Sequence, residues 1–306
     1  MTPFHLNIIS IYGEDGQKWL DKLRVFLAEI GESWGLSDLR PMENLTYNYV
    51  LSGFQDNKPV ILKMSMDSEG LNREACALRV FEGHGAVRVL KQRQGVILLE
   101  RAMSGNSLKG YFPDREEESI GITCDLIQKL HQAQIPTTGT FPHIRDWLAA
   151  IDTHIEDSSD PLFTLALIKA RPLKNHLLET SPQDVFLHGD LHHDNILSHG
   201  DGYVVIDHKG LIGDPAYEVA AFIRNPLPNL LEAPDSVAII TARIHGFAVG
   251  LDIDPQRITQ WCCVQAVLSW IWNIEDGLCP DYFRELVKLL WGLIDDSEHA
   301  NTSSSE

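Results

Sequence analysis

The chain is 306 residues long and 44% hydrophobic, with 43 acidic against 25 basic residues for a formal net charge of −18. That length accommodates two lobes with substantial cores, while the acidic field repels nucleic acid and anionic membrane surfaces and predicts neither as a partner. The five cysteines form no Cys-x-x-Cys pair and their odd number argues against a disulfide framework, so a reducing cytoplasm is the expected compartment. The N-terminal stretch has no basic segment leading into a long apolar core, so no secretory signal is expected. The most apolar stretch, Val264 to Ile274, is too short to span a bilayer and is interrupted by Gln265, Ser269 and Asn273.

In chain order, Trp19, Leu20, Leu23, Phe26, Leu27 and Ile30 recur at helical spacing and predict a helix over 19–30, closed by Gly31 and Gly35. Leu45 to Ser52 and Pro59 to Met66 are apolar, aromatic or β-branched runs on either side of 53–58, which predicts a hairpin. Leu71, Ala75, Leu78 and Phe81 predict a second helix over 69–81. Ala86 to Leu90 and Val96 to Glu100 then predict two more strands around Arg93-Gln94-Gly95.

From Ser107 the pattern is mainly helical, with helices expected over 116–133, 144–154, 160–178, 217–223, 235–250, 255–275 and 281–293. Short strands are expected only beside Asp190 and Asp207. The expected architecture is therefore α+β and two-lobed. A small antiparallel-sheet lobe covers 1–101 and a larger, mainly helical lobe covers 102–294. A connector near Glu100 to Gly105 joins them, with the site expected in the cleft beneath it. The polar, Ser-rich segment 295–306 is expected to be a disordered tail.

The chemistry is concentrated in His188-Gly189-Asp190-Leu191-His192-His193-Asp194-Asn195-Ile196-Leu197, followed by a turn at Ser198 to Gly202 and the run Val204-Val205-Ile206 that ends in Asp207. Moving a phosphoryl group from ATP to a hydroxyl asks little covalent chemistry of a protein. It needs one carboxylate to accept the hydroxyl proton and oxygen ligands that hold Mg²⁺ across the phosphates. Asp190 fits the first role, Asn195 and Asp207 fit the second, and the intervening hairpin would bring them together. The same stretch also offers His188, Asp190, His192, His193 and Asp194 as a metallohydrolase ligand set, because imidazole and carboxylate suit Zn or Mn. That reading gives the continuation through Asn195 to Asp207 no purpose.

Lys63 ends the run Pro59-Val60-Ile61-Leu62 and is placed to contact ATP phosphates, with Glu74 on the next helix as its counter-ion. The competing reading is a solvated lysine and an exposed helix charge. Glu100 and Ala102 lie where main-chain groups would read adenine. The segment expected to cover the phosphates, Glu43 to Val50, contains no glycine, so either Thr46 and Asn48 supply side-chain hydrogen bonds or the loop stands off the nucleotide. The missing glycines also keep open a nucleotide-binding regulator with weak or no turnover. His188 is expected to brace the loop, and His192 and His193 to fill it or face the substrate. Lys209 either neutralises the transferring phosphoryl group or faces solvent. Asp214 either braces the loop or caps the helix begun by Pro215.

Taken together, His188-Gly189-Asp190-Leu191-His192-x-x-Asn195-Ile196-Leu197, Ile206-Asp207-x-Lys209-Gly210-Leu211 and Gly213-Asp214-Pro215-Ala216-Tyr217-Glu218 resemble the streptomycin 6-phosphotransferases, also described as aminoglycoside/hydroxyurea antibiotic resistance kinases. Val60-Ile61-Leu62-Lys63, Glu74-Ala75-x-Ala77-Leu78, Gly85-Ala86-Val87-Arg88-Val89-Leu90 and Leu98-Leu99-Glu100-Arg101 agree, so the similarity covers most of residues 40 to 225. The resemblance implies a protein-kinase-like fold, ATP as donor, Mg²⁺, and transfer to a hydroxyl of a small cationic acceptor. That acceptor would be a streptomycin-like aminoglycoside, or else another amino-alcohol or sugar. Asp190 would be the base, Asn195 and Asp207 the metal ligands, and Lys63 with Glu74 the phosphate-orienting pair. Glu275 and Asp276, beside Trp270 and Trp272, are candidates for binding the cation, with an exposed acidic loop as the alternative. His208 departs from the family's pattern, which favours proline between Asp207 and Lys209.

Overall fold

The structure, a computed structural model, describes residues 2–43, 45–137, 141–154 and 160–303, with side chains described as far as residue 294. The chain packs as two compact units, Met1–Gly105 and Asn106–Glu306. No helix among the described residues is long and apolar enough to cross a membrane.

In the first unit, β1 (Leu36–Pro41), β2 (Tyr49–Gln55), β3 (Lys58–Met64), β4 (Val89–Arg93) and β5 (Val96–Glu100) form an antiparallel sheet in the order β1-β2-β3-β5-β4. β2 and β3 join through Asp56 and Asn57 at φ 49° and 61°, the backbone of a type I′ turn and tighter than the 53–58 connection expected. Side chains alternate along β3. Val60, Leu62 and Met64 therefore enter a core with Phe4, Ile8, Leu23 and Ile30 of α1 (Pro3–Trp34). Lys63 is left on the other face, toward α2 (Ser68–Val80).

In this unit three elements differ from the sequence reading. α1 begins well before residue 19, capped by the Thr2 hydroxyl, and kinks at Gly13, whose φ of 57° and ψ of −131° interrupt the helix. The run Gly13-Glu14-Asp15-Gly16 breaks the apolar period there and hides a first half that nonetheless buries Phe4 and Ile8. β1 has weak alternation, a proline and a bulge between Ser37 and Arg40, features that an edge strand tolerates and a pattern search passes over. The strand expected over 86–90 lies instead at β4, because Ala86 and Val87 are spent on the core before pairing starts.

β6 (Ser104–Ser107) leads in sequence to the second unit, whose elements are α3 (Glu116–Leu130), α4 (Ile144–Leu148), α5 (Ala150–Thr153), α6 (Pro161–Glu179), β7 (Val185–Leu187), β8 (Ile196–His199), β9 (Gly202–Val205), β10 (Leu211–Gly213), α7 (Ala220–Ile223), α8 (Asn229–Glu232), α9 (Ser236–Leu251), α10 (Pro255–Glu275) and α11 (Asp281–Ser303). α10 starts at the Asp254 cap and is buried on every side from Ile258 to Ile271, as the central helix of a bundle must be. It packs against α6, α7, α9 and α11. β7 pairs antiparallel with β10, and β8 with β9. α11 runs to Ser303, so most of the segment expected to be disordered continues a helix.

Candidate active site

The loop from Leu187 to Ile196 joins β7 to β8 and carries Asp190 and Asn195. Gly189 turns it at φ +87°, where a Cβ would fall 2.9 Å from Leu211 Cγ on β10, so the turn requires glycine. Fully buried Glu218 accepts the amides of His188 at 2.7 Å and Gly189 at 2.9 Å. His188 donates from Nε2 to the Ile206 carbonyl at 2.8 Å and accepts the Asp190 amide on Nδ1 at 3.2 Å, which fixes a neutral tautomer. Burial accordingly holds its pKa below the ordinary value. The amides of Lys209 (2.9 Å) and Gly210 (3.3 Å) both donate to the His188 carbonyl, tying the turn after β9 to the same loop.

Asn195 donates Nδ2 to the Asp190 carbonyl at 2.9 Å, which commits the amide nitrogen and turns Oδ1 to other use. The Ile206 amide donates to the Asn195 carbonyl at 3.0 Å, and the β8–β9 hairpin thereby delivers Asp207 beside the loop. Asp207 adopts φ +61°, a left-handed backbone uncommon for a residue with a side chain and concentrated at functional sites. Lys209 holds Nζ 3.2 Å from Asp207 Oδ2 and 3.9 Å from Asp190 Oδ2. Asp190 and Asn195 are thus joined directly, and Asp207 is joined to Asp190 through a lysine. Asp214, in contrast, is structural. Its carboxylate caps the turn after it through the Ala216 amide at 2.9 Å and accepts from Trp261 at 2.8 Å and from Arg257.

Arg224 belongs to the site although sequence reasoning passes over it. Nη2 lies 3.3 Å from Asp190 Oδ1, Nη1 donates to Gln265 Oε1 at 2.7 Å, and Gln265 donates to the Tyr217 carbonyl at 2.6 Å. The only signal in the sequence is a single cation closing the apolar run Val219-Ala220-Ala221-Phe222-Ile223. Burial raises the Asp190 pKa, but His192, Arg224, Lys209 and His188 outweigh it and hold the carboxyl below its ordinary value. Asp190 opens onto a cavity of about 320 Å³ within this unit, walled also by His192, Lys209, Trp147, Trp272 and Asp276. Trp147 and Trp272 meet edge to face at 5.3 Å. Trp270 and Glu275 are not cavity residues. Trp270 and Trp272, two positions apart, diverge by about 200° around the helix, so Trp270 is buried against Phe163 at 5.0 Å; Glu275 pairs with His154 at 3.3 Å.

In the unit Met1–Gly105, Lys63 Nζ is 2.7 Å from Glu74 Oε2 and each residue is only 7% exposed, which removes the reading of a solvated lysine and an exposed acid. The Glu100 carboxylate accepts two N–H groups of Arg88 at 3.1 Å, and Ala102 is buried. The Thr46 carbonyl accepts Asn7 Nδ2 at 3.3 Å.

The histidines of the loop do not converge. His193 is buried and stacked on Phe222 at 3.8 Å, and Asp194 accepts from the Ser107 hydroxyl at 3.2 Å and pairs with Lys109 at 3.6 Å. Among the described residues no group of three or more His, Cys, Asp and Glu could hold a metal ion. The Asn195 amide oxygen and the Asp207 carboxylate offer a hard donor set. It fits Mg²⁺, which takes few protein ligands and completes its shell with phosphate and water.

The chain is similar to known proteins over most of its length. A family model described as aminoglycoside/hydroxyurea antibiotic resistance kinase matches residues 42–277. A streptomycin 3''-kinase of Klebsiella pneumoniae is 31% identical over 268 residues, covering 80% of this chain and 91% of its own length. A streptomycin 6-kinase of Streptomyces glaucescens is 25% identical over 285 residues, covering 90% and 91%. Among solved structures, a thermostable mutant of aminoglycoside phosphotransferase APH(4)-Ia, in ternary complex with ADP and hygromycin B, superposes with a TM-score of 0.66 at 16% identity, covering 88% of this chain and 97% of that one. That likeness shows the fold.

Proposed function

The chain belongs to the aminoglycoside/hydroxyurea antibiotic resistance kinases, and on that premise we propose how it carries a phosphoryl group from ATP to a hydroxyl of a streptomycin-like aminoglycoside. It is an ATP-dependent phosphotransferase with an alcohol acceptor. The Asp190 carboxylate, kept ionised by the cations around it, aligns the acceptor hydroxyl and takes its proton as the new O–P bond forms. Arg224 and the Asn195 amide hold that carboxylate and its backbone still. Lys63, oriented by Glu74, contacts the ATP phosphates. Asn195 and Asp207 would hold Mg²⁺, which when bound offsets the phosphate charge. Glu100 and Ala102 lie in the segment whose main chain would read adenine.

The observation that carries this reading is the position of Asp190: an anionic carboxylate in a braced loop at the wall of a cavity of about 320 Å³, within the range of small-molecule sites. The acceptor assignment rests on the similarity to streptomycin kinases and on the cavity wall, where Asp276 and the paired indoles of Trp147 and Trp272 favour a cationic group. The odd number of cysteines and the lack of a Cys-x-x-Cys pair favour a cytoplasmic location.

The test is incubation with ATP, Mg²⁺ and a panel of aminoglycosides, amino-alcohols and sugars, with products identified by mass spectrometry and NMR. Streptomycin carrying one added phosphoryl group is the expected product. Preferential phosphorylation of an amino-alcohol or a neutral sugar would overturn the acceptor. Binding of Mg·ATP with no product from any member would overturn the enzyme and favour a regulator.

A further inference from the structure

Arg243 of α9 is fully buried, with every guanidinium nitrogen engaged. Nε and Nη2 form a two-point bridge to Glu116, in the first turn of α3, at 2.5 and 2.9 Å. Nη1 donates to the carbonyls of Phe222 at 3.2 Å and Ile223 at 3.1 Å, and also to that of Asn225. Nη2 also faces His193 Nε2 at 3.4 Å, and since guanidinium has only donors the imidazole nitrogen must accept. A buried guanidinium is tolerated only when its donors are met, and here the acceptors are not scattered through the core. Three carbonyls flank one residue, Arg224, and one imidazole belongs to the loop that carries Asp190 and Asn195.

The carbonyl of Arg224 itself accepts the Tyr282 hydroxyl at 2.6 Å, so each carbonyl from Phe222 to Asn225 is held. Gln265 fixes one end of the Arg224 guanidinium, and the other end points at Asp190. We propose that Arg243, bridged to Glu116, is a positioning residue for phosphoryl transfer: it sets the peptide from which Arg224 reaches Asp190. Arg243 touches neither substrate nor nucleotide in this scheme and acts through Arg224. The inference rests on the reading of Asp190 as the base.

Arg243→Lys keeps the charge, but a single nitrogen cannot meet Glu116, the carbonyls and His193 together. With ATP and streptomycin, kcat is expected to fall by about tenfold to a hundredfold, as small displacements of a reacting group do, while the KM for ATP stays within about twofold. A core residue of purely structural importance would produce the first effect as well, so the deciding measurement is a double-mutant cycle with Arg224→Met. If Arg243 works through Arg224, adding Arg243→Lys to Arg224→Met lowers kcat by less than about twofold further. Independent, multiplying losses would overturn the proposal. So would a crystal structure of Arg243→Lys with Arg224 still within ion-pair distance of Asp190. Glu116→Gln, which leaves the guanidinium in place and weakens its anchor, serves the same cycle if the lysine variant does not fold. Should the wild-type protein fail to phosphorylate streptomycin, the cycle run on ATP hydrolysis by water separates the two ideas: coupling there supports the role of Arg243 while the acceptor assignment falls.

Discussion

Lys209 holds its ammonium 3.2 Å from Asp207, and the same nitrogen is 3.9 Å from Asp190, so one cation spans the carboxylate assigned to the metal and the carboxylate assigned to the proton. It can neutralise charge that develops during transfer without binding the ground state more tightly. Lys209→Met is therefore expected to lower kcat by about a hundredfold, the effect of removing one preorganised donor, with little change in the KM for ATP. Steady-state kinetics decide it; an unchanged kcat would return Lys209 to the role of a surface charge.

The Lys63–Glu74 pair predicts a graded series. Lys63→Met removes the cation assigned to the phosphates and should reduce kcat/KM for ATP by roughly a hundredfold or more. Glu74→Gln keeps a neutral partner at 2.7 Å from the ammonium and should lose less, about tenfold. Equal losses would mean that the pair serves the fold of α2 against the sheet rather than the nucleotide.

Glu218 predicts a pH dependence of stability. Burial raises its pKa, but the His131 imidazole 3.8 Å away, His188 and the Gly189 amide together pull it below the ordinary 4.5. A carboxyl depressed on folding gives its full contribution above its unfolded pKa, and that contribution is lost as the pH falls through the folded value. The thermal midpoint should thus decline below about pH 4.5 with a slope that Glu218→Gln reduces. At neutral pH the same variant, leaving one of two buried amides without an oxygen, should be less stable by about 2 kcal/mol. Denaturant unfolding across pH measures both, and an acid limb identical in the two proteins would contradict the assignment.

How much of this was legible in the sequence follows from which interactions are local. β5 and the β2–β3 hairpin announce themselves because an apolar run and turn chemistry are properties of adjacent residues. The loop from His188 to Asp207 does so because its parts are one hairpin apart. Lys63 and Glu74 could be paired because they lie on consecutive elements, β3 and α2, 11 residues apart. Arg224 and Arg243 could not be found this way: their partners lie 34 residues away at Asp190 and 127 away at Glu116, and only the packing of α7 and α9 brings them together. The same limit explains Trp270 and Trp272, whose fates differ because each faces a different neighbour of α10. α1 and β1 were obscured for local reasons, a glycine kink in one and edge-strand chemistry in the other.

The cavity wall predicts separable effects on the two substrates. Trp272→Ala opens the edge-to-face pair with Trp147 and should raise the acceptor KM by roughly tenfold through lost aromatic contact with a cation. The KM for ATP should not follow. A parallel rise in both constants, measured by varying each substrate in turn, would place the wall outside the acceptor site.

The most direct test of the central claim is Asp190→Asn, which preserves shape and removes the proton acceptor. The account predicts a loss of kcat for streptomycin phosphorylation of about a thousandfold or more, with the dissociation constant for Mg·ATP within a few-fold of wild type by calorimetry. Turnover retained near the wild-type rate, or nucleotide binding lost in step with activity, would contradict it.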